Sequence, residues 1–102
     1  MTGMQDRERA FEAKFAFDEE LRFKAVARRN RMAGLWAAPL LGKDDAEAYA
    51  RDLAAVDLAH PGDAERKLRT DFDAAGVAQT DEQIHRKMAE LLSEAMAQIE
   101  NG

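Results

Sequence analysis

The fold is decided by residues 19–42, EELRFKAVARRNRMAGLWAAPLLG, which have the pattern of one long amphipathic helix. A single stripe, about one third of the helical circumference, is formed by Phe23, Val26, Ala27, Asn30, Ala33, Gly34, Ala37 and Leu41. A stripe this wide is typical of a helix that packs on a core, so we expect this face to be buried. The helix should kink or end by Leu41, because Pro39 lacks an amide hydrogen and Gly42 follows.

Two residues in the middle of the stripe are unusual for a buried helix face. Asn30 has an amide that needs hydrogen-bond partners or water once it is buried. Gly34 has no side chain, which costs about 1 kcal/mol of helix propensity relative to alanine. We therefore expect another helix to approach closely at Gly34.

A second helix is predicted to begin near Asp44 or Asp45, either of which can cap its first turn, and to end near Leu58. Its apolar seam consists of Tyr49, Leu53 and Val56. The sequence His60-Pro61-Gly62 should then interrupt the helix, because proline disfavours helix at the preceding residue and glycine favours a turn.

A third, short helix is predicted to be capped by Asp63 and closed by Gly76. Its seam consists of Leu68, Phe72 and Ala75. The fourth helix should begin at Thr80 and Gln83, which have the spacing of a capping box, and continue to Glu100. The apolar residues of this helix recur at helical spacing, and they are Ile84, Met88, Leu91, Leu92, Ala95, Met96 and Ile99.

Short loops between four amphipathic helices favour antiparallel neighbours. The sequence therefore predicts an all-α fold, in which residues 19–102 form a small four-helix bundle and residues 1–18 form a flexible N-terminal arm. A length of 102 residues suits one domain. The chain has no cysteine, which excludes disulfides and thiolate metal sites. It also lacks a secretory signal or a long apolar span, so we predict a cytoplasmic protein without direct membrane insertion.

Charge is unevenly distributed along the chain, whose formal net charge is −5. The basic residues Arg22, Lys24, Arg28, Arg29 and Arg31 lie in a stretch without any acid between Leu21 and Gly42. They suit a solvated helix face that pairs with the acidic later helices, or an anion site. A pI near 5.0 argues against nucleic acid as a partner.

Catalytic and metal-binding motifs are missing from the sequence. His60 and His85 are isolated, and no carboxylate pair or glycine-rich phosphate loop stands out. We therefore predict neither an enzyme nor a metal site, and no obligatory cofactor. A regulatory ADP or ATP remains an alternative, with its phosphates on Arg28, Arg29 or Arg31 and its adenine against Trp36 or Tyr49.

The arm has aromatic residues on more than one helical face. Met4, Phe11 and Phe15 share one face and Phe17 lies on another, while charged residues interrupt both. One intramolecular stripe cannot bury all of them, which indicates that the arm completes its burial against a partner. The predicted partner-binding residues are Met4, Arg7, Arg9, Phe11, Glu12, Lys14, Phe15 and Phe17.

The sequences DRERAFEAKFAFDEE (6–20) and FKAVARRNRMAGLWAAPLLG (23–42) resemble the N-terminal half of the zeta-subunit family. These proteins are small inhibitors of the F-type ATP synthase of alphaproteobacteria. The turn at 60–63 and the closing helix fit the family's layout more loosely.

The resemblance implies a four-helix bundle preceded by a mobile inhibitory arm. It further implies that the arm becomes helical as it enters the catalytic interface between the alpha and beta subunits near gamma, where it blocks rotation in the hydrolytic direction. Such a protein would be a monomer when free and peripheral to the inner membrane through F1. Two alternatives remain: a nucleotide-binding regulator, and a generic helical adaptor whose arm binds an unrelated protein.

Overall fold

The computed structural model describes residues 19–101, and this part of the chain consists of four α-helices and their connections. The helices are α1 (Glu19–Leu41), α2 (Ala46–Ala59), α3 (Asp63–Ala75) and α4 (Asp81–Asn101). No strand occurs between residues 19 and 101, which confirms the all-α prediction. The predicted arm lies outside the described residues. Within the described range, no helix has the length and apolar content needed to cross a membrane.

The first two helices pack backbone to backbone through small residues. Ala33, Ala37 and Ala50 are completely buried at or near this contact. A Cβ atom added to Gly34 would lie only 2.4 Å from the Cα of Ala50. Since real Cβ atoms do not approach backbone this closely, glycine is required here, and the predicted close approach of a second helix at Gly34 is confirmed.

Larger side chains fill the space between the α1–α2 pair and the other two helices. Leu53, Leu68, Phe72 and Ile84 are among the largest fully buried side chains. Trp36 packs on Phe72 with its ring edge-on, at a centroid distance of 5.6 Å and an interplanar angle of 69°. Edge-to-face packing of this kind stabilises aromatic pairs beyond their buried area.

Local signals in the sequence set most of the helix ends. Gly42, with φ of 72°, follows the end of α1 as predicted. The Asp45 carboxylate accepts a hydrogen bond of 3.0 Å from the amide of Ala48 and so caps α2. At α4, the Gln83 side chain accepts from the Thr80 amide at 2.8 Å and the Thr80 hydroxyl accepts from the Gln83 amide at 3.0 Å. The predicted capping box is therefore confirmed.

The prediction that the whole stripe of α1 is buried is wrong at its N-terminal end. Phe23 is 59% exposed and Ala27 is also exposed, whereas Asn30 is buried. Asn30 bonds to Asp57, which is only two residues before the end of α2. The turns of α1 that precede Asn30 therefore extend beyond α2 and have no helix to cover this face.

The prediction that Asp63 caps α3 is also wrong. Gly62 is the capping residue, and the Asp63 carboxylate instead accepts a hydrogen bond from Arg66 at 3.0 Å. The seam of α3 differs at its ends, because Ala64 is buried whereas the predicted Ala75 is exposed. The amides at the start of α3 are bonded by a side chain of α2, as described below.

Candidate functional site

The predicted partner-binding residues lie outside the described residues, and so their roles stay predictions. They are Met4, Arg7, Arg9, Phe11, Glu12, Lys14, Phe15 and Phe17. What the structure does describe is the part of the chain that follows them: α1, its packing partners and two surface clefts.

A buried polar joint, formed by Arg29, Asn30 and Asp57, connects α1 and α2 to the start of α3. The Asp57 side chain is 4% exposed. Its Oδ1 accepts hydrogen bonds from the amides of Gly62 at 2.9 Å and Ala64 at 3.1 Å. Its Oδ2 accepts a bond of 3.0 Å from Nδ2 of Asn30. One carboxylate therefore caps α3 and ties it to α1.

Asn30 uses the other end of its amide to bind Arg29, whose Nε donates to Oδ1 at 2.8 Å. No buried side-chain nitrogen or oxygen in residues 19–101 lacks a hydrogen-bond partner. The partners predicted to be necessary for a buried Asn30 are thus present, and they are side chains of α1 and α2.

The joint affects the ionisation of its charged members. Burial raises the pKa of Asp57, but the hydrogen bonds from Ala64, Asn30 and Gly62 and the charge of Arg29 outweigh it, so the pKa lies below its ordinary 3.8. Burial lowers the pKa of Arg29, while the nearby carboxylates of Asp57 and Glu65 oppose that shift. The aspartate is therefore held as a carboxylate at neutral pH.

Sequence reasoning did not identify Asp57 as a structural residue. A signal was present, because Asp57 follows Leu53 by four residues and so continues the buried face of α2. An acid at such a position needs several donors, and the turn at Gly62 supplies two of them within reach.

A cleft of about 610 Å³ opens beside the joint, between α1, α3 and α4. Its charged lining residues are Arg29, Arg66, Arg69, Asp57, Glu65, Asp81 and His85. Arg69 pairs with Asp73 at 2.6 Å and with Asp81 at 2.9 Å. The ring of His85 lies 3.3 Å from the carboxylate of Glu65. The cations of this cleft therefore already have acidic partners, which leaves little surplus charge for an anion.

The three arginines predicted to bind phosphate have different neighbours. Arg28 donates to the side-chain oxygen of Gln98 at 3.3 Å, and Arg31 forms a bidentate pair with Glu47 at 2.8 and 2.9 Å. Only Arg29 of the three lines the larger cleft.

The two aromatic residues predicted to stack on adenine are also apart from one another. Trp36 borders a second, smaller cleft of about 240 Å³, with Nζ of Lys87 5.6 Å above its ring centroid. Tyr49 is 6% exposed, and its hydroxyl donates to Asp71 at 2.7 Å. Burial, together with that hydrogen bond, raises the pKa of Tyr49. The structure thus does not bring Arg28, Arg29, Arg31, Trp36 and Tyr49 together in either cleft.

Between residues 19 and 101 there is no group of three or more His, Cys, Asp or Glu residues that could hold a metal ion. The polar groups of the joint hydrogen-bond to one another and to nearby backbone amides, so that no buried side-chain polar atom of residues 19–101 lacks a partner. At the larger cleft, Arg69 and His85 each lie next to a carboxylate. These features define the described part of the chain as a small bundle of four α-helices with an internally satisfied polar joint.

The chain belongs to the family described as ATPase inhibitor subunit zeta, which it matches over residues 1–98. A comparison with individual curated proteins found no match. The family match confirms the resemblance noted in the sequence and extends it over nearly the whole chain. Membership identifies an ATPase inhibitor subunit, a regulatory role that entails association with the ATP synthase.

Proposed function

We propose that this chain inhibits ATP hydrolysis by inserting residues 1–18 into the catalytic interface between the alpha and beta subunits of F1, near gamma. Occupation of that interface would block rotation in the hydrolytic direction. The observation that carries the proposal is the extent of the family match, which begins at residue 1 and so includes the arm as well as the bundle.

The side chains of the arm suit a partner that surrounds it. A cleft between subunits can bury Phe11, Phe15 and Phe17 on several sides at once, which a single neighbouring helix cannot do. The alternating charges, such as Arg7 and Lys14, would set the register through complementary charges on the partner.

The described bundle supports this mode of action by holding α1, the helix that follows the arm. α1 packs against α2 through Gly34 and against α4, where Arg28 meets Gln98. In this proposal the free protein is a cytoplasmic monomer, which becomes peripheral to the inner membrane through F1.

The proposal can be tested by titrating the full chain and a chain lacking residues 1–18 into an F1 hydrolysis assay. Circular dichroism and thermal melting of both chains serve as the control for folding. We expect inhibition by the full chain only. Full inhibition by the shortened chain would refute the arm mechanism, and failure of the full chain to bind F1 would favour an adaptor for another protein.

A second candidate is a nucleotide-sensing regulator that binds ADP or ATP through the bundle. One observation favours it: the indole of Trp36 borders a cleft together with Arg86 and Lys87, whose cationic groups also pair with Glu82 and Glu90. Addition of millimolar ADP or ATP should then change Trp36 fluorescence and shift the amide resonances of residues around this cleft. If neither signal changes, this candidate loses its support.

A further inference from the structure

One face of α1 is covered by the bundle over only part of its length. The face is formed, at helical spacing, by Phe23, Ala27, Asn30, Gly34 and Ala37. From Asn30 onward it is buried against α2, whereas Phe23 and Ala27 are exposed. Phe23 thus lies on the same face of α1, beyond the part that α2 covers.

This part of the face is uncovered because α2 and α4 both end before they reach Phe23. Asn30 lies level with Asp57, near the end of α2, as the bond of 3.0 Å between them shows. On the other side, Arg28 lies level with Gln98, only three residues before the end of α4. Phe23 lies five residues before Arg28, or about 7–8 Å further along the axis. Neither α2 nor α4 reaches it.

Two arginines beside Phe23 form no ion pair within residues 19–101. Lys24 pairs with Glu20 at 3.3 Å. Arg22 forms no ion pair with any residue between 19 and 101, and the bond of Arg28 is to a neutral amide.

We propose that this exposed end of α1, built on Phe23 with Arg22 and Arg28, is a second contact between the inhibitor and the ATP synthase. It fits an apolar groove bordered by carboxylates on the enzyme. The inference rests on the proposed function, because the arm ends directly before Glu19. Residue 18, the last of the arm, is joined directly to this end of α1, so the two proposed contacts are contiguous in the chain.

Phe23 suits an interface because the bundle makes little use of it. The residue is 59% exposed, so much of its apolar surface is available to a partner. Aromatic residues that become buried in a partner's pocket commonly dominate the affinity of an interface. The same exposure means that removal of the ring should leave the folded bundle nearly unchanged.

The test uses the full chain with Phe23→Ala in the F1 hydrolysis assay. We expect the concentration for half-maximal inhibition to rise by about ten- to thirtyfold, the range for loss of an aromatic anchor. The thermal melting midpoint should be almost unaffected. The matched control is Leu40→Ala, which removes another exposed apolar side chain, 43% exposed, from the opposite end of the same helix. Leu40 lies about 25 Å away along the axis, and its removal should leave inhibition unchanged.

A full chain with Phe11, Phe15 and Phe17 changed to alanine separates failure of this inference from failure of the proposed function. If that variant loses inhibition while Phe23→Ala inhibits within about twofold of the parent, the second contact is refuted and the arm mechanism stands. If neither change weakens inhibition, both proposals fail.

A cross-linking measurement covers the case in which Phe23→Ala perturbs the fold. A photoreactive phenylalanine analogue at position 23 retains the aromatic ring, and the same analogue at position 40 serves as the control. We expect illumination to link position 23 to an F1 subunit and position 40 to none. Equal linkage at the two positions, or none at position 23, would overturn the inference.

Discussion

Replacement of Asp57 by asparagine tests the polar joint with almost no change in side-chain shape. The carboxylate accepts three hydrogen bonds, from the amides of Gly62 and Ala64 and from Nδ2 of Asn30. An asparagine can still accept the two backbone bonds through its Oδ1. Its amide nitrogen must then face the amide nitrogen of Asn30. If Asn30 turns over to accept this bond, its nitrogen instead faces Nε of Arg29.

The cost follows from these contacts. A hydrogen bond to a charged group contributes about 1.5–3 kcal/mol, against about 0.5–1.5 for a neutral one, so the two backbone bonds lose about 2 kcal/mol together. The contact between two hydrogen-bond donors, which leaves one of them without an acceptor, adds a further cost of about 1–3 kcal/mol. We therefore expect Asp57→Asn to lower the free energy of unfolding by about 3–5 kcal/mol. For a domain of this size the melting midpoint should fall by at least about 12 °C.

A reciprocal exchange provides the decisive control. In Asn30→Asp combined with Asp57→Asn, the new carboxylate at position 30 accepts from Arg29 and from the new amide at position 57. That amide's oxygen still accepts from Gly62 and Ala64. Every donor has an acceptor again, so the double variant should recover to within about 1–2 kcal/mol of the parent. Asn30→Asp alone should be destabilised, because it places two buried carboxylates side by side.

Urea denaturation of the four proteins, followed by circular dichroism, gives the coupling free energy of this cycle. We expect a favourable coupling of at least about 2 kcal/mol. Additive single effects would refute the donor–acceptor account of the joint. An Asp57→Asn variant as stable as the parent would show that neither the charge at position 57 nor its bond from Asn30 stabilises the joint.

Three further perturbations test other parts of the fold. Gly34→Ala should destabilise the chain by about 1–3 kcal/mol in the same assay, because the added methyl group would collide with Ala50. This cost should exceed the gain from the higher helix propensity of alanine. Unchanged stability would contradict the close packing. Thr80→Ala should cost about 1 kcal/mol, by loss of the reciprocal cap with Gln83, and an equal melting midpoint would argue against that cap. Since folding lowers the pKa of Asp57 below 3.8, its stabilisation is present above pH 4 and lost as pH falls through the folded pKa. The difference in melting midpoint between parent and Asp57→Asn should therefore shrink below about pH 4, and a constant difference down to pH 2 would contradict this linkage.

Features that depend on a few neighbouring residues could be predicted from the sequence. The capping box at Thr80, the stop at Gly42 and the close approach at Gly34 each follow from the chemistry of one or two residues. The number of helices followed from apolar periodicity, which is strong in long amphipathic segments.

Features that depend on where a neighbouring helix ends could not be predicted. Periodicity placed Phe23 on the same face as Gly34, but it contains no information about the length of the helix that covers that face. The cap of α3 was missed for a related reason: Asp57 acts across a turn from the preceding helix, whereas Asp63, at the usual sequence position, does not.

The candidate binding residues divide in the same way. The basic residues from Arg28 to Arg31 are close in sequence, but successive helical positions point about 100° apart and so meet different partners. The roles of the arm residues were inferred from their aromatic pattern and from the family resemblance. The family match covers these residues, while the structure describes the chain from Glu19 onward.

The contact between Gly34 and Ala50 also determines the rotational setting of α1. If α1 rolled about its own axis by one residue, 100°, Ala33 or Leu35 would take the place of the glycine, where not even a methyl group fits. The contact therefore allows only one rotational setting of α1 about its own axis. Phe23 is thereby held in one direction relative to the bundle, and a partner that binds it meets a surface whose orientation is already set.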